Sequence, residues 1–352
     1  MSASIPAVVI GATGYVGGEL MRLIAGHPGM TLAHAVSASR AGDPVSAVFP
    51  HLAPALGDLR FDHADTWLDS VSGDSRIAVF SAAPHGAAAA TLERVLNDAA
   101  GKNLDIRIVD ASADFRFAAQ ADYEAIYGSH GAPALLEMFT SGLPEHTTAV
   151  PPAHVGNPGC FATAMLLAIV PLLASGLTTG AFSASGITGS TGSGKSPTAT
   201  THHPERHSNL FAYKPLAHRH APEVLALARA ATGQDATLNF VPHSGPFARG
   251  IHMTVFAETT AAIAADALRT TLADFYADAD FVDVVDGMPR LKDVVASNFA
   301  RLGVAADGRQ VVVTVVIDNL VKGAAGGALQ WMNRLLGLPE TAGLLAPAPA
   351  WT

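Results

Sequence analysis

The sequence predicts an α/β, Rossmann-type parallel-sheet domain followed by an α+β domain built on a mixed or antiparallel sheet. Three observations predict it. A short apolar run, Ala7–Ile10, leads straight into a glycine-rich turn and a helical pattern. Strand-like and helix-like segments then alternate as far as Asp110. Beyond Ala181 long strand patterns follow one another with few helices between them.

The first element set is Ala7–Ile10 as a strand, Gly11-Ala12-Thr13-Gly14-Tyr15-Val16-Gly17-Gly18 as a turn, and Glu19–Ala25 as a helix. Gly11, Gly14 and Gly17 are spaced as G-x-x-G-x-x-G, a relative of the dinucleotide fingerprint. Such glycines allow a tight turn and let a pyrophosphate approach the N–H groups that open the helix. Gly11, Thr13, Gly14, Tyr15, Val16 and Gly17 form the candidate cofactor turn; the competing reading is a plain strand-to-helix turn. Thr31–Val36 reads as the second strand and ends at Ser37-Ala38-Ser39-Arg40. An acid for a ribose 2′-hydroxyl is absent there, and Ser37, Ser39 and Arg40 suit a 2′-phosphate, which favours NADP(H) over NAD. A solvated loop arginine is the alternative. Ile77–Ser81 is the third strand, running into Pro84, His85 and a helix that ends near Asn97. Ile106–Asp110 is the fourth, running into Ala113-Asp114-Phe115-Arg116. His85 and Arg116 thus follow strand ends, where ligands gather in such sheets, and Pro84 beside His85 is a candidate cofactor contact. Phe117–Pro152 carries no clear period, apart from a turn at Leu143-Pro144-Glu145.

In the second half, Ala181–Ile187, Thr237–Val241, Ile251–Glu258, Phe281–Val285 and Gln310–Asn319 read as strands. Glu223–Thr232, Ala261–Tyr276 and Gly323–Leu336 read as helices. The expected division is 1–158 for the cofactor domain, rejoined by a C-terminal helix at about 322–345, and 159–321 for the α+β domain.

A length of 352 residues with 49% hydrophobic content supports two cores. A net charge of −9 speaks against a nucleic-acid surface. One cysteine forms no internal disulfide, which fits a reducing, cytoplasmic setting. Met1–Pro6 shows no basic segment ahead of an apolar one, so no leader peptide is expected. The apolar stretch Phe161–Leu177 is short for a membrane span and contains Pro171, so it is expected to be a buried core helix.

The lone cysteine lies in Gly156-Asn157-Pro158-Gly159-Cys160-Phe161, directly ahead of that helix. Unpaired N–H groups at a helix start favour a thiolate. A Pro-Gly turn shapes the approach to the sulfur. A nucleophile is therefore the preferred reading over a buried cysteine packing as a small hydrophobe.

Three other segments carry candidate chemistry. Gly186–Lys195 is a Gly/Ser/Thr loop that superficially matches a P-loop. Its lysine spacing fits only loosely, and it follows no first strand, so an NTPase is excluded. Ser190 and Gly192 in it are candidate cofactor contacts, with a mobile surface loop as the alternative. His202-His203-Pro204-Glu205-Arg206-His207 and His218-Arg219-His220-Ala221-Pro222-Glu223 are histidine-rich. The readings are a metal site, acid–base work beside Cys160 with Glu223 orienting an imidazole, or surface loops; no metal is expected. Asp318–Gly323 closes the last long strand. In it Asn319 can offer an amide to a nicotinamide carboxamide, and Lys322 can meet a carboxylate or phosphate, as can Arg249.

Taken together, the turn at Gly11–Leu20, Pro84-His85-Gly86, Ala113–Arg116, Asn157–Cys160, His218–Glu223 and Asp318–Gly323 closely resemble the N-acetyl-γ-glutamyl-phosphate reductase family, in that family's order and over nearly the whole chain. The resemblance implies NADPH-dependent reduction of an acyl phosphate. Cys160 forms a thioester as inorganic phosphate leaves, hydride gives a thiohemiacetal, and the aldehyde is released. It implies His218 or His220 as proton donor, and Arg116, Asn157, Arg249 and Lys322 as partners of the substrate's carboxylate or phosphate. It also implies a homo-oligomer, with 159–321 as its catalytic and dimerisation domain. The acyl group is expected to be N-acetylglutamyl. The His202–Arg206 segment resembles instead a lysine-pathway branch that works on α-aminoadipyl phosphate attached to a small acidic carrier protein, and the loop at 187–198 also resembles enzymes taking an N-succinyl substrate. Two further readings share part of the pattern: a non-catalytic NADP-binding sensor, and a non-phosphorylating aldehyde dehydrogenase. Neither a nucleic-acid nor a membrane partner is expected.

Overall fold

The computed structural model describes residues 4–71, 76–151 and 153–351. The first three residues of the Met1–Pro6 segment, and the Pro152 end of the Phe117–Pro152 stretch, lie outside the described residues. The chain divides into two compact units. One comprises Met1–Ser141, Ala149–Asn157 and Ala324–Leu345; the other comprises Gly142–Thr148, Pro158–Gly323 and Ala346–Thr352.

The first unit is organised by a parallel sheet. Its strands are β1 (Ile5–Ile10), β2 (Met30–Val36), β3 (Phe61–Asp62), β4 (Arg76–Ser81), β5 (Asp105–Asp110), β6 (Phe139–Ser141) and β7 (His154–Gly156), in the order β3-β2-β1-β4-β5-β7-β6. Every pairing in it is parallel. Strands covered on both faces read as continuous apolar runs, as Ala7–Ile10 and Ile77–Phe80 do. The covering helices include α1 (Tyr15–Ala25) and α2 (Ala88–Gly101). A short α3 (Gln120–Tyr127) lies in the stretch that carried no clear sequence period.

The helix α1 begins at Tyr15, four residues before the apolar period starts. Gly17 and Gly18 are tolerated inside it because neither site has room for a Cβ. At Gly18 one would stand 2.7 Å from the Phe49 ring.

The second unit holds a mixed sheet: β8 (Thr178–Thr188), β9 (Phe211–Ala212), β10 (Thr237–Ser244), β11 (Ile251–Thr259), β12 (Val282–Val284), β13 (Ala300–Asp307) and β14 (Gln310–Ile317). The order is β12-β13-β14-β11-β8-β10-β9. The pairs β8–β10 and β12–β13 are parallel, the rest antiparallel. β13 escaped the sequence reading because Ala300–Asp307 has few β-branched residues and a glycine at its centre. Gly303 is there because a Cβ would stand 2.3 Å from the Gly287 carbonyl oxygen. Burial alternates along β11, so one face lies on the core and the other is more exposed.

Against the core face packs α4 (Cys160–Ala174), buried from Phe161 to Leu173. A helix apolar all round belongs inside a core. Pro171 lies within it and leaves the Leu167 carbonyl without its helical donor. The Tyr276 hydroxyl donates to that carbonyl at 2.8 Å. His146 donates from Nε2 to the same hydroxyl at 2.9 Å. This helps explain why Gly142–Thr148 belongs to the second unit, where a boundary near residue 158 placed it with the first.

α5 (His220–Thr232) packs on α4, and α6 (Ala265–Phe275) on β13; α7 (Gly326–Leu336) returns to the first unit and covers β5. Among the described residues no helix is long and apolar enough to cross a membrane.

Candidate active site

In the first unit the glycine turn leaves β1 at the point where the strand order reverses, between β1 and β4. Gly11 has φ +74°, and a Cβ there would stand 2.5 Å from the Ala82 carbonyl oxygen. Gly17 is equally closed, 2.7 Å from Ala12 Cα. Gly14 caps α1 with open space above it, its nearest contact being the Gly11 carbonyl at 3.6 Å. Thr13, Tyr15 and Val16 are half-buried around this opening. A helix start beneath a cradle that side chains at Gly11 and Gly17 would fill is what a dinucleotide phosphate needs, so the residues present fit such a cofactor.

Beyond β2, Ser37 is buried and its Oγ accepts from the Arg40 N–H at 3.2 Å. Ser39 is exposed. The Arg40 guanidinium pairs with Asp43 at 2.6 Å, both about half exposed. Pro84 is exposed past the end of β4. Arg116 is buried and donates to the carbonyls of Asn157 and Ala111, both at 3.1 Å. Asn157 in turn donates its backbone N–H to the Asp110 carbonyl at 2.7 Å. Arg116 and Asn157 are thus brought together, with Arg116 holding the strand end that carries Asn157.

In the second unit Cys160 is the first residue of α4, capped by Gly159 and half-buried. The Gly159 N–H donates to Glu223 Oε1 at 2.7 Å, and Glu223 is fully buried. That carboxylate therefore anchors the nucleophile's turn. His218 and His220 flank the ring of Phe161, with centroids 5.7 and 6.1 Å away and 4.8 Å from each other. Burial, with lesser effects from Arg219 and Lys214, lowers the His218 pKa to about 4. Its Nδ1 accepts from the His220 N–H at 3.3 Å, which leaves the proton of the neutral ring on Nε2. Tyr213, absent from the sequence reading, packs against His218 at 5.6 Å. Burial first, then the nearby Cys160 charge, raises its phenol above the ordinary range.

Three loops meet at one end of the mixed sheet, where Ser244, Thr188, Ile251 and Ile317 stand in register across four strands. The loop after β8 holds Ser190 and Gly192; the Ser190 N–H donates to the Phe247 carbonyl. Asn319 accepts from the Gly250 N–H at 2.6 Å and donates to Thr191 Oγ1 at 3.0 Å, so Asn319, Gly192 and Ser190 do come together. Arg249 forms a two-pronged pair with the buried Asp318 at 3.0 and 3.1 Å. Asp318 also accepts from the N–H groups of Leu320 and Val321, both at 2.8 Å, and so folds the turn that follows. Lys322 pairs with Glu145, each side chain 1% exposed. Two of the three cations expected at the substrate, Arg249 and Lys322, are thus met by internal carboxylates. Those partners lie 69 and 177 residues away, with no local signal. The turn brings Gly323 onto Cys160. Among the described residues no group of three or more His, Cys, Asp or Glu side chains is placed to hold a metal ion.

A glycine cradle in one unit and a helix-capped cysteine with two buried histidines in the other define the class. Residues 6–145 match the semialdehyde dehydrogenase NAD-binding domain, and residues 160–319 the semialdehyde dehydrogenase dimerisation domain. The fold is similar to aspartate semialdehyde dehydrogenase II of Vibrio cholerae, with TM-score 0.67 at 15% identity over 96% of this chain and 99% of that one. Relatives named N-acetyl-gamma-glutamyl-phosphate reductase are more similar in sequence. That of Methanosarcina barkeri is 40% identical over 98% of this chain and 99% of its own. That of Rhodospirillum rubrum is 40% identical over 98% of both. The chain belongs to the N-acetyl-gamma-glutamyl-phosphate reductase family and is an oxidoreductase of the semialdehyde dehydrogenase class.

Proposed function

We propose that this protein reduces N-acetyl-γ-glutamyl phosphate to N-acetylglutamate semialdehyde with release of phosphate, a step of arginine biosynthesis. The observation that carries the reading is Cys160 at the start of α4, its turn anchored by the buried Glu223 and two buried histidines beside it. The Cys160 thiolate attacks the acyl carbon, the carbon–oxygen bond to phosphate breaks, and a thioester remains. NADPH, when bound at the Gly11–Gly17 cradle, supplies the hydride. The Cys160 adduct then carries an alkoxide, which the N–H groups opening α4 and a neighbouring imidazole N–H stabilise. Breaking the carbon–sulfur bond releases the aldehyde and restores the thiolate. His218 or His220 is the proton donor in this reading, and the neutral His218 ring carries its proton on Nε2. Arg116 and Asn157 shape the substrate end of the first unit, and Ser190, Gly192 and Asn319 the cofactor's nicotinamide end. Arg40 beside Ser37 and Ser39 favours NADP(H). The working form is a homo-oligomer built on the dimerisation domain, in the cytoplasm.

The test is phosphate-dependent NADP reduction with N-acetylglutamate semialdehyde. Cys160→Ala and Cys160→Ser are expected to lose at least about a thousandfold in rate. Turnover of Cys160→Ala at the wild-type rate would sink the reading. Activity without phosphate would identify a non-phosphorylating dehydrogenase. Preference for a succinylated or carrier-bound aldehyde would change the acyl group.

A further inference from the structure

The His202–His207 segment has no part in the mechanism above. Within it a single helical turn, His203–Arg206, buries Arg206 to 8% exposure. Its Nη1 donates to Ser244 Oγ and its Nη2 to the Gly245 carbonyl. The guanidinium is therefore pinned at the end of β10, on the sheet end that also carries the Asn319 and Gly323 loop. Among the described residues its Nε–H is shut off from water and has no acceptor. A buried donor without an acceptor is costly, and an anionic oxygen would relieve it.

Arg206 lines a cavity of about 290 Å³ together with His203, His207, Ser190, Thr201 and Phe247. No acidic side chain lines that cavity, so its field is set by the guanidinium and two imidazoles. The His203 and His207 rings stand 5.2 Å apart. The volume suits one end of a small molecule. Tyr213 ties the cavity to the nucleophile. Arg206 holds Ser244 of β10, Ser244 stands opposite Phe211 of β9, and the Tyr213 ring that follows β9 lies 5.6 Å from the ring of His218. The Tyr213 backbone is fixed to β10 through the Pro242 carbonyl.

We propose that the Arg206 cavity is the subsite for the substrate's carboxylate, the anionic group at the end of the acyl chain away from the reacting carbon. The proposal rests on the acyl-phosphate reductase reading and adds its specificity element. With Nη1 and Nη2 each giving one N–H to Ser244 and Gly245, the guanidinium keeps its charge and a fork, a second N–H on each terminal nitrogen, for a carboxylate oxygen. The carboxylate is unchanged in the reaction, so its binding acts equally on ground state and transition state. It is expressed in KM rather than kcat.

The experiment compares two aldehydes in the oxidative direction at saturating NADP and phosphate. They are N-acetylglutamate semialdehyde and 4-acetamidobutanal, the same molecule without its carboxylate. Arg206→Gln is expected to raise KM for the first about 10- to 100-fold with kcat little changed. The loss in kcat/KM for 4-acetamidobutanal is expected to be far smaller. Equal losses on both aldehydes, no loss on either, or a raised KM for phosphate in place of the aldehyde would each overturn the subsite. If Arg206→Gln does not fold, Arg206→Lys keeps the charge without the fork: a carboxylate-selective loss supports the proposal and an equal loss overturns it. A wild-type protein inactive on the acetylated aldehyde overturns the reductase reading, and the subsite with it. An active wild type whose Arg206 variants lose no selectivity overturns the subsite alone.

Discussion

Gly323 lies against Cys160, so close that a Cβ at Gly323 would stand 2.7 Å from the cysteine's Cβ and 3.0 Å from its Cα. The bonds from Asp318 to Leu320 and Val321 fold the chain into that position. Gly323→Ala is therefore expected to displace the Cys160 turn. The expected loss in kcat/KM is at least about a hundredfold, with a parallel fall in the rate of Cys160 labelling by iodoacetamide. Unchanged labelling and turnover would show that the turn gives way instead.

Lys322 and Glu145 form a pair inside the second unit, with the Lys322 ammonium 5.5 Å from the centroid of the Phe281 ring. Removing one partner leaves a buried charge, so Lys322→Met alone is expected to cost about 3–5 kcal/mol by denaturant melts. Lys322→Met combined with Glu145→Leu should recover most of that, since the desolvation of both charges is removed together. KM for the aldehyde in the double variant is expected to stay within about threefold of wild type. A large rise in KM would mean that Lys322 meets the substrate directly.

His154 and His218 are both lowered to about 4, chiefly by burial. A histidine lowered on folding contributes stability above its unfolded value of 6.5, and that contribution is lost as pH falls through the folded value near 4. Each site contributes up to roughly 3 kcal/mol over that window. Asp110 acts in the opposite sense: burial raises it to about 6, so its contribution is present at low pH and lost as pH rises from 3.8 through 6. Burial lowers His146 to about 4 as well, so three histidines stand against one carboxyl, and the net expectation is a protein that loses stability below about pH 6. His154→Gln should flatten the acid side of the melting profile, and an unchanged profile would contradict the linkage.

Arg40 stands beyond the end of β2 with only Asp43 as its ion-pair partner among those described, about half exposed. Arg40→Ala is expected to weaken NADPH binding about 10- to 100-fold and NADH binding little, measured by fluorescence titration. Equal losses for the two cofactors would show that Arg40 does not read the 2′-phosphate.

The sequence by itself determined the elements whose signal is local. The Gly11–Gly17 turn, the apolar strands β1 and β4, the wholly apolar α4 and the placing of Cys160 at its start all follow from period, glycine spacing and capping, which act within a few residues. Tertiary structure decided what depends on distant partners. Glu223 reaches Gly159 across 64 residues and Lys322 reaches Glu145 across 177. Arg249 is held by Asp318, and Gly323 is pressed onto Cys160. A charged side chain looks the same in sequence whether it faces a substrate or a buried carboxylate. Only packing, by fixing which charges lose their water together, separates the two.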